Sequence, residues 1–148
     1  MKPTLLIITG PQGSGNHLFS KIFSYHKDVY GWNALYKNKW VGHDKEVFQS
    51  YWLDPKQLKD FDWTQSKYFV TSISCPFILI QDFTIPKFKE FIKHAKKYAT
   101  VKVAVIGRDK NILKHQHKRC EGQILCYRII SYMFFVIYYY VLFFIFKA

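Results

Sequence analysis

The chain has 148 residues, the length of one domain, and is 49% hydrophobic and 20% aromatic, which excludes a disordered or collagen-like polypeptide. Its formal charge is +12, from 22 Lys and Arg against 10 Asp and Glu, and this surplus favours anionic partners: nucleotide phosphates, nucleic acid or an acidic lipid surface. The three cysteines, Cys75, Cys120 and Cys126, are too few and too scattered for a disulfide framework or a zinc site, so a reducing, cytoplasmic setting and no metal are expected.

Met1-Lys2-Pro3 leads directly into Thr4–Thr9, TLLIIT, without the long apolar segment and cleavage site of a signal peptide. TLLIIT is a short apolar run, suited to a strand buried on both faces of a parallel sheet. GPQGSGNH follows as a glycine-rich turn. From Asn16 to His26, Leu18, Phe19, Ile22 and Phe23 form an apolar stripe at helical spacing. The stretch from Val29 to Trp63 holds all four tryptophans and has no sustained period. Short helices and loops packed by aromatics are expected there, with Trp32 and Trp40 as candidate walls of a pocket. Within it, Asp54–Phe61 reads as a short helix with Asp54 as N-cap and Pro55 at the first helical position. Lys67–Ser74 reads as a second strand, Pro86–Ala99 as an amphipathic helix, Val101–Ile106 as a third strand, and Asn111–Arg119 as the start of another helix. Strands alternating with helices predict an α/β fold with a small parallel sheet.

Strand, glycine loop and helix in succession are the layout of a phosphate cradle. Glycines let the backbone turn its N–H groups onto an anion, and the helix N-terminus adds the positive end of a dipole. Gly10 and Gly15 have the spacing of the P-loop pattern G-x-x-x-x-G-K-[ST], but Asn16 stands where Lys is expected and His17 where Ser or Thr is expected. The lysine's contact with the terminal phosphates and the hydroxyl's hold on Mg²⁺ are therefore both missing, which argues against kinase or ATPase chemistry.

The segment from Leu5 to Phe23 resembles the opening of P-loop proteins, and most closely the sulfotransferase branch, in which a basic residue and Ser-Gly-Thr-Thr/Ser precede an apolar helix. Here Ser14-Gly15-Asn16-His17-Leu18 is similar, with Gly13 in place of the basic residue. Val101–Arg119 resembles the second signature of that family. Arg108 ends the strand, Asp109 follows, and Gln116 takes the position of a serine about two turns into the next helix. The resemblance implies a three-layer P-loop-type domain over residues 1–122. It implies 3′-phosphoadenylyl sulfate as cofactor, with its 5′-phosphosulfate on Gly10, Gln12, Gly13, Ser14, Gly15, Asn16 and His17. Arg108 and Gln116 would hold the 3′-phosphate. A sulfuryl transfer to an acceptor needs a base to take the acceptor proton. Among six histidines, His43 is the first candidate, with Glu46 second. His17 is a substitute for the lost basic residue.

Two other functions stand beside this one. One is a degenerate P-loop nucleotide-binding protein or kinase relative; the multi-arginine lid of a kinase is absent, since Arg108, Arg119 and Arg128 are the only arginines. The other is a non-enzymatic, membrane-tethered domain. No recognition motif for nucleic acid accompanies the charge. Residues 123–148 form an apolar tail whose run Ile129–Phe146 has no charge and reaches the length at which a membrane helix becomes a candidate. A membrane anchor, a buried element of the domain and a tail produced by a reading-frame change or truncation are the three readings of it. In the first, the basic run Lys110–Arg119 would face the lipid.

Overall fold

The computed structural model describes residues 1–32, 46–75, 77–79 and 82–114, with only the backbone described in 77–79 and 82–84. The chain divides into two compact units, Met1–Asp109 and Lys110–Ala148. In the second, residues 110–114 are helical. Trp40, His43, Gln116, Cys120, Cys126 and the run 129–146 lie outside the described residues. No described helix is long and apolar enough to cross a membrane.

In chain order the first unit contains β1 (Thr4–Gly10), α1 (Asn16–Ser24), β2 (Val29–Tyr30), two 3₁₀ turns (Ser50–Trp52 and Pro55–Lys59), β3 (Tyr68–Ser74), β4 (Phe77–Leu79), β5 (Asp82–Thr84), α2 (Phe88–Ala95) and β6 (Thr100–Val105). Four strands form one parallel sheet in the order β2-β3-β1-β6, and β4 and β5 pair as a separate antiparallel ribbon. The α/β class and the parallel sheet follow the expectation, and the three long strands agree with it to within a residue at each end. The short β2 and the ribbon carry too few residues to show a period. Asp54 caps the second 3₁₀ turn by accepting from the Lys56 amide, with Pro55 at its first position. The helix expected over Pro86–Ala99 is shorter, Phe88–Ala95. Beyond it, turn bonds such as Lys97 N–H to the His94 carbonyl take over, and Tyr98 stacks on Trp63 with ring planes 7° apart.

Strand pairing assigns each residue to a face of the sheet. Leu5 lies opposite Phe69 and Val101, and Ile7 opposite Thr71 and Val103, so the odd-numbered positions share one face. That face carries the core, in which Leu5, Ile7, Phe69 and Ile73 are buried with Phe48, Trp52, Leu58, Phe91, Ala95 and Ala99. Its centre is aromatic. Trp52 stacks on Phe91 with ring centroids 3.8 Å apart, and Phe61, Trp63 and Phe69 meet edge to face around Phe48.

The other face carries α1, and here the apolar stripe of the sequence points the wrong way for a core. Asn16, Ser20 and Ser24 are the buried residues of α1. Leu18, Phe19, Ile22 and Phe23 are 61, 41, 54 and 47% exposed. The helix is held down by hydrogen bonds from its small polar residues to Ser72, Ser74 and Trp32 instead of by its apolar side chains. Small residues let α1 lie close to the strands, and Trp32, fully buried, fills the space beside it. Trp32 is thus a core residue, not the pocket wall the sequence suggested.

Candidate functional site

The carboxyl ends of β1, β3 and β6 converge, and open α/β sheets bind ligands just beyond such ends. The Ile106 amide donates to the Thr9 carbonyl at 2.7 Å, the Cys75 amide to the Gly10 carbonyl at 3.0 Å, and the Thr9 hydroxyl to the Ile73 carbonyl at 2.8 Å. Gly10 is required by this closeness. A Cβ there would lie 2.4 Å from the Ile106 carbonyl oxygen and 2.7 Å from Ser14 Oγ.

The loop from Gly10 then folds through a turn, with the Ser14 amide donating to the Pro11 carbonyl at 3.0 Å. Gly13 and Gly15 have φ of 83° and 95°, a region that side-chain-bearing residues rarely enter. Gly15 is the N-cap of α1, so no side chain caps the helix, and its first turn has no acidic residue. No cap side chain or first-turn carboxylate competes with an anion at this helix N-terminus, which is the setting of an anion site. Ser14 adds a hydroxyl that is buried, 5% exposed as a residue, and without a hydrogen-bond partner.

The two positions that depart from the P-loop pattern turn inward. Asn16 Nδ2 donates to Ser74 Oγ at 3.2 Å. His17 Nδ1 lies 2.9 Å from Ser72 Oγ, and its ring meets Trp32 edge-on, centroids 5.7 Å apart. Trp32 Nε1 donates to Ser20 Oγ at 2.8 Å, and Ser20 donates to the His17 carbonyl at 3.0 Å. Ser20 and Ser72 lie 2.7 Å apart, so His17, Ser72, Ser20 and Trp32 form one continuous hydrogen-bonded chain between α1 and β3.

Arg108, expected to end the third strand, lies three residues past the end of β6 and donates from Nη1 to the Gly13 carbonyl at 2.8 Å. The sequence placed Gly10 and Arg108 on neighbouring strands, and β1 and β6 are neighbours. Arg108 is exposed, and its guanidinium braces the loop from the open side. The structure therefore brings together Gly10, Gly13, Ser14, Gly15, Asn16, His17 and Arg108, with Gln12 exposed on the loop's rim.

Glu46 is placed elsewhere. It is 3% exposed on the aromatic side of β3. Thr71 and Ser72 are successive, so their side chains leave opposite faces: Ser72 meets His17, and Thr71 accepts from Trp52 Nε1 at 3.3 Å. Burial pushes the Glu46 carboxyl up to about 8, opposed by the Thr71 hydroxyl and the Phe48 and Ser72 backbone amides. Of these only the Phe48 amide makes a hydrogen bond, 3.1 Å to Oε2, and Oε1 has no partner. A neutral, enclosed carboxyl does not suit a base that meets an acceptor from solvent. The Cys75 thiol, also buried, is pushed up to about 11.

Ser20, Ser72 and Ser74 are the residues around the loop that sequence reading passed over. Their signal was the serine spacing in Asn16-x-x-x-Ser20-x-x-x-Ser24, one helical face, against Ser72 and Ser74, one strand face. No group of three or more His, Cys, Asp or Glu that could hold a metal ion occurs among the described residues. No protein-family model matches the chain, and no curated protein or solved structure matches it.

Proposed function

We propose that the chain binds a nucleotide phosphate on the Gly10–His17 loop as a sulfotransferase-like protein, with 3′-phosphoadenylyl sulfate as donor and an acceptor yet to be identified. The observation that carries the anion site is the conjunction at one strand end of an uncapped helix N-terminus with a buried, unpartnered Ser14 hydroxyl. An anion resting on the α1 amides would offer that hydroxyl an acceptor. The finer reading, sulfuryl over phosphoryl transfer, draws on where Asn16 and His17 point. Both are committed to β3, so neither supplies the lysine charge nor the Mg²⁺ hydroxyl that phosphoryl transfer uses.

Arg108 supplies the positive charge on the open side of the loop. A planar guanidinium suits two phosphate oxygens at once, and the family resemblance gives it the 3′-phosphate together with Gln116. His17, within the loop, takes the place of the basic residue that the family pattern carries there. His43 remains the first candidate for the acceptor's base.

Titration calorimetry with adenosine 3′,5′-bisphosphate and with ATP, each with and without Mg²⁺, tests the reading. The bisphosphate should bind without metal, and Arg108→Ala should weaken it by about tenfold, the value of one charge-assisted contact. Equal binding of the two nucleotides, or binding of ATP alone with a need for Mg²⁺, supports the degenerate kinase relative instead.

A further inference from the structure

We propose that the outward face of α1 is a docking surface for an anionic lipid bilayer. Leu18 and Ile22, and Phe19 and Phe23, form two rows at i and i+4 along the helix, and all four side chains are between 41 and 61% exposed. Such a contiguous apolar patch on a folded domain marks an interaction site. What surrounds it selects the partner. Residues 1–27 contain no Asp or Glu. Lys21 is in the last turn of α1 with Nζ 4.6 Å above the Trp32 ring, and Lys27 is exposed just beyond. Exposed Asp28 follows Lys27, but the charge on α1 itself is basic and the chain as a whole is +12, and apolar side chains beside positive charge are the two signals that together hold a protein on an acidic membrane.

Shape and charge disfavour the other occupants. The patch is a ridge on one nine-residue helix, roughly 14 Å long, which is small beside the roughly 800 Å² per partner of a stable protein interface. Two copies meeting through it would bring together two chains that each carry a charge of +12. A fluid lipid interface needs no matching groove. It admits Phe19 and Phe23 at headgroup depth, where aromatic rings settle.

Sedimentation of the full chain with vesicles tests this, using phosphatidylcholine alone and phosphatidylcholine mixed with phosphatidylserine. The wild type should bind the mixed vesicles and lose them as salt is raised. Ile22→Gln with Phe23→Gln should weaken that binding by about tenfold or more, from the apolar area withdrawn. Leu18→Gln alone should show a smaller loss in the same direction. Unchanged melting temperatures would confirm that these exposed positions are not core. The proposal is overturned if the variants bind as the wild type does, which would assign any membrane affinity to another segment. It is equally overturned if neutral vesicles bind as well as acidic ones. Light scattering that finds a wild-type dimer and a monomeric variant would make the face a self-association surface instead.

Discussion

Glu46 offers the most direct test of the packing around β3. Its carboxyl titrates at about 8 in the folded chain against 4.5 as the ordinary value. Between those values the folded state holds a proton that the unfolded state has released. Stability from this group is therefore fully present below about 4.5 and declines as pH rises toward about 8. The difference is about 3.5 units, which at roughly 1.4 kcal/mol per unit sets a ceiling of about 5 kcal/mol. That is comparable to the whole stability of a small domain, roughly 5–15 kcal/mol, so water entry at high pH will cap the loss below this ceiling. Glu46→Gln keeps the shape and the acceptor for the Phe48 amide, and removes the ionisation. Urea unfolding of both proteins at steps from pH 5 to pH 9 isolates the effect, because all other groups titrate in both. The expected result is a wild type that loses several kcal/mol relative to Glu46→Gln across the interval, with the two nearly equal at the acid end. Parallel curves would refute the burial of Glu46 and, with it, the closed aromatic layer.

Three further predictions concern the fold and the loop. Trp52→Ala removes the ring stacked on Phe91 and should cost about 3–5 kcal/mol, enough to unfold much of the population in a thermal melt. Ser20→Ala leaves the Trp32 indole N–H without its acceptor and takes one partner from Ser72; chemical denaturation should show a loss of about 1–3 kcal/mol. Gly10→Ala forces a Cβ against the Ile106 carbonyl, so β1 and β6 must part; a loss of about 1–3 kcal/mol is expected, with weaker adenosine 3′,5′-bisphosphate binding by calorimetry.

Local chemistry made much of the molecule legible in advance. TLLIIT, KYFVTSIS and VKVAVI are apolar runs bounded by glycine, proline or turn residues, and all three form strands; the first two are largely buried, while the third, last in the strand order, has no fully buried residue. Asp54-Pro55 is a cap by its own short-range bonding. The spacing of Gly10 and Gly15 between a strand and a helix specified a loop that only glycine conformations can close. What tertiary structure alone decided was which side of an element faces inward and which residues meet. Helical spacing detects the stripe of Leu18, Phe19, Ile22 and Phe23 but carries no information on the strand opposite. In the folded chain β3 presents Ser72 and Ser74 to α1, hydroxyl pairs with hydroxyl, and the serine face goes down. The same holds for Glu46. Its residue type suggested a base, and only its burial in the fold pushes the carboxyl up to about 8. Arg108 and Gly13 are 95 residues apart in the chain, and only parallel pairing of β6 with β1 puts them 2.8 Å apart.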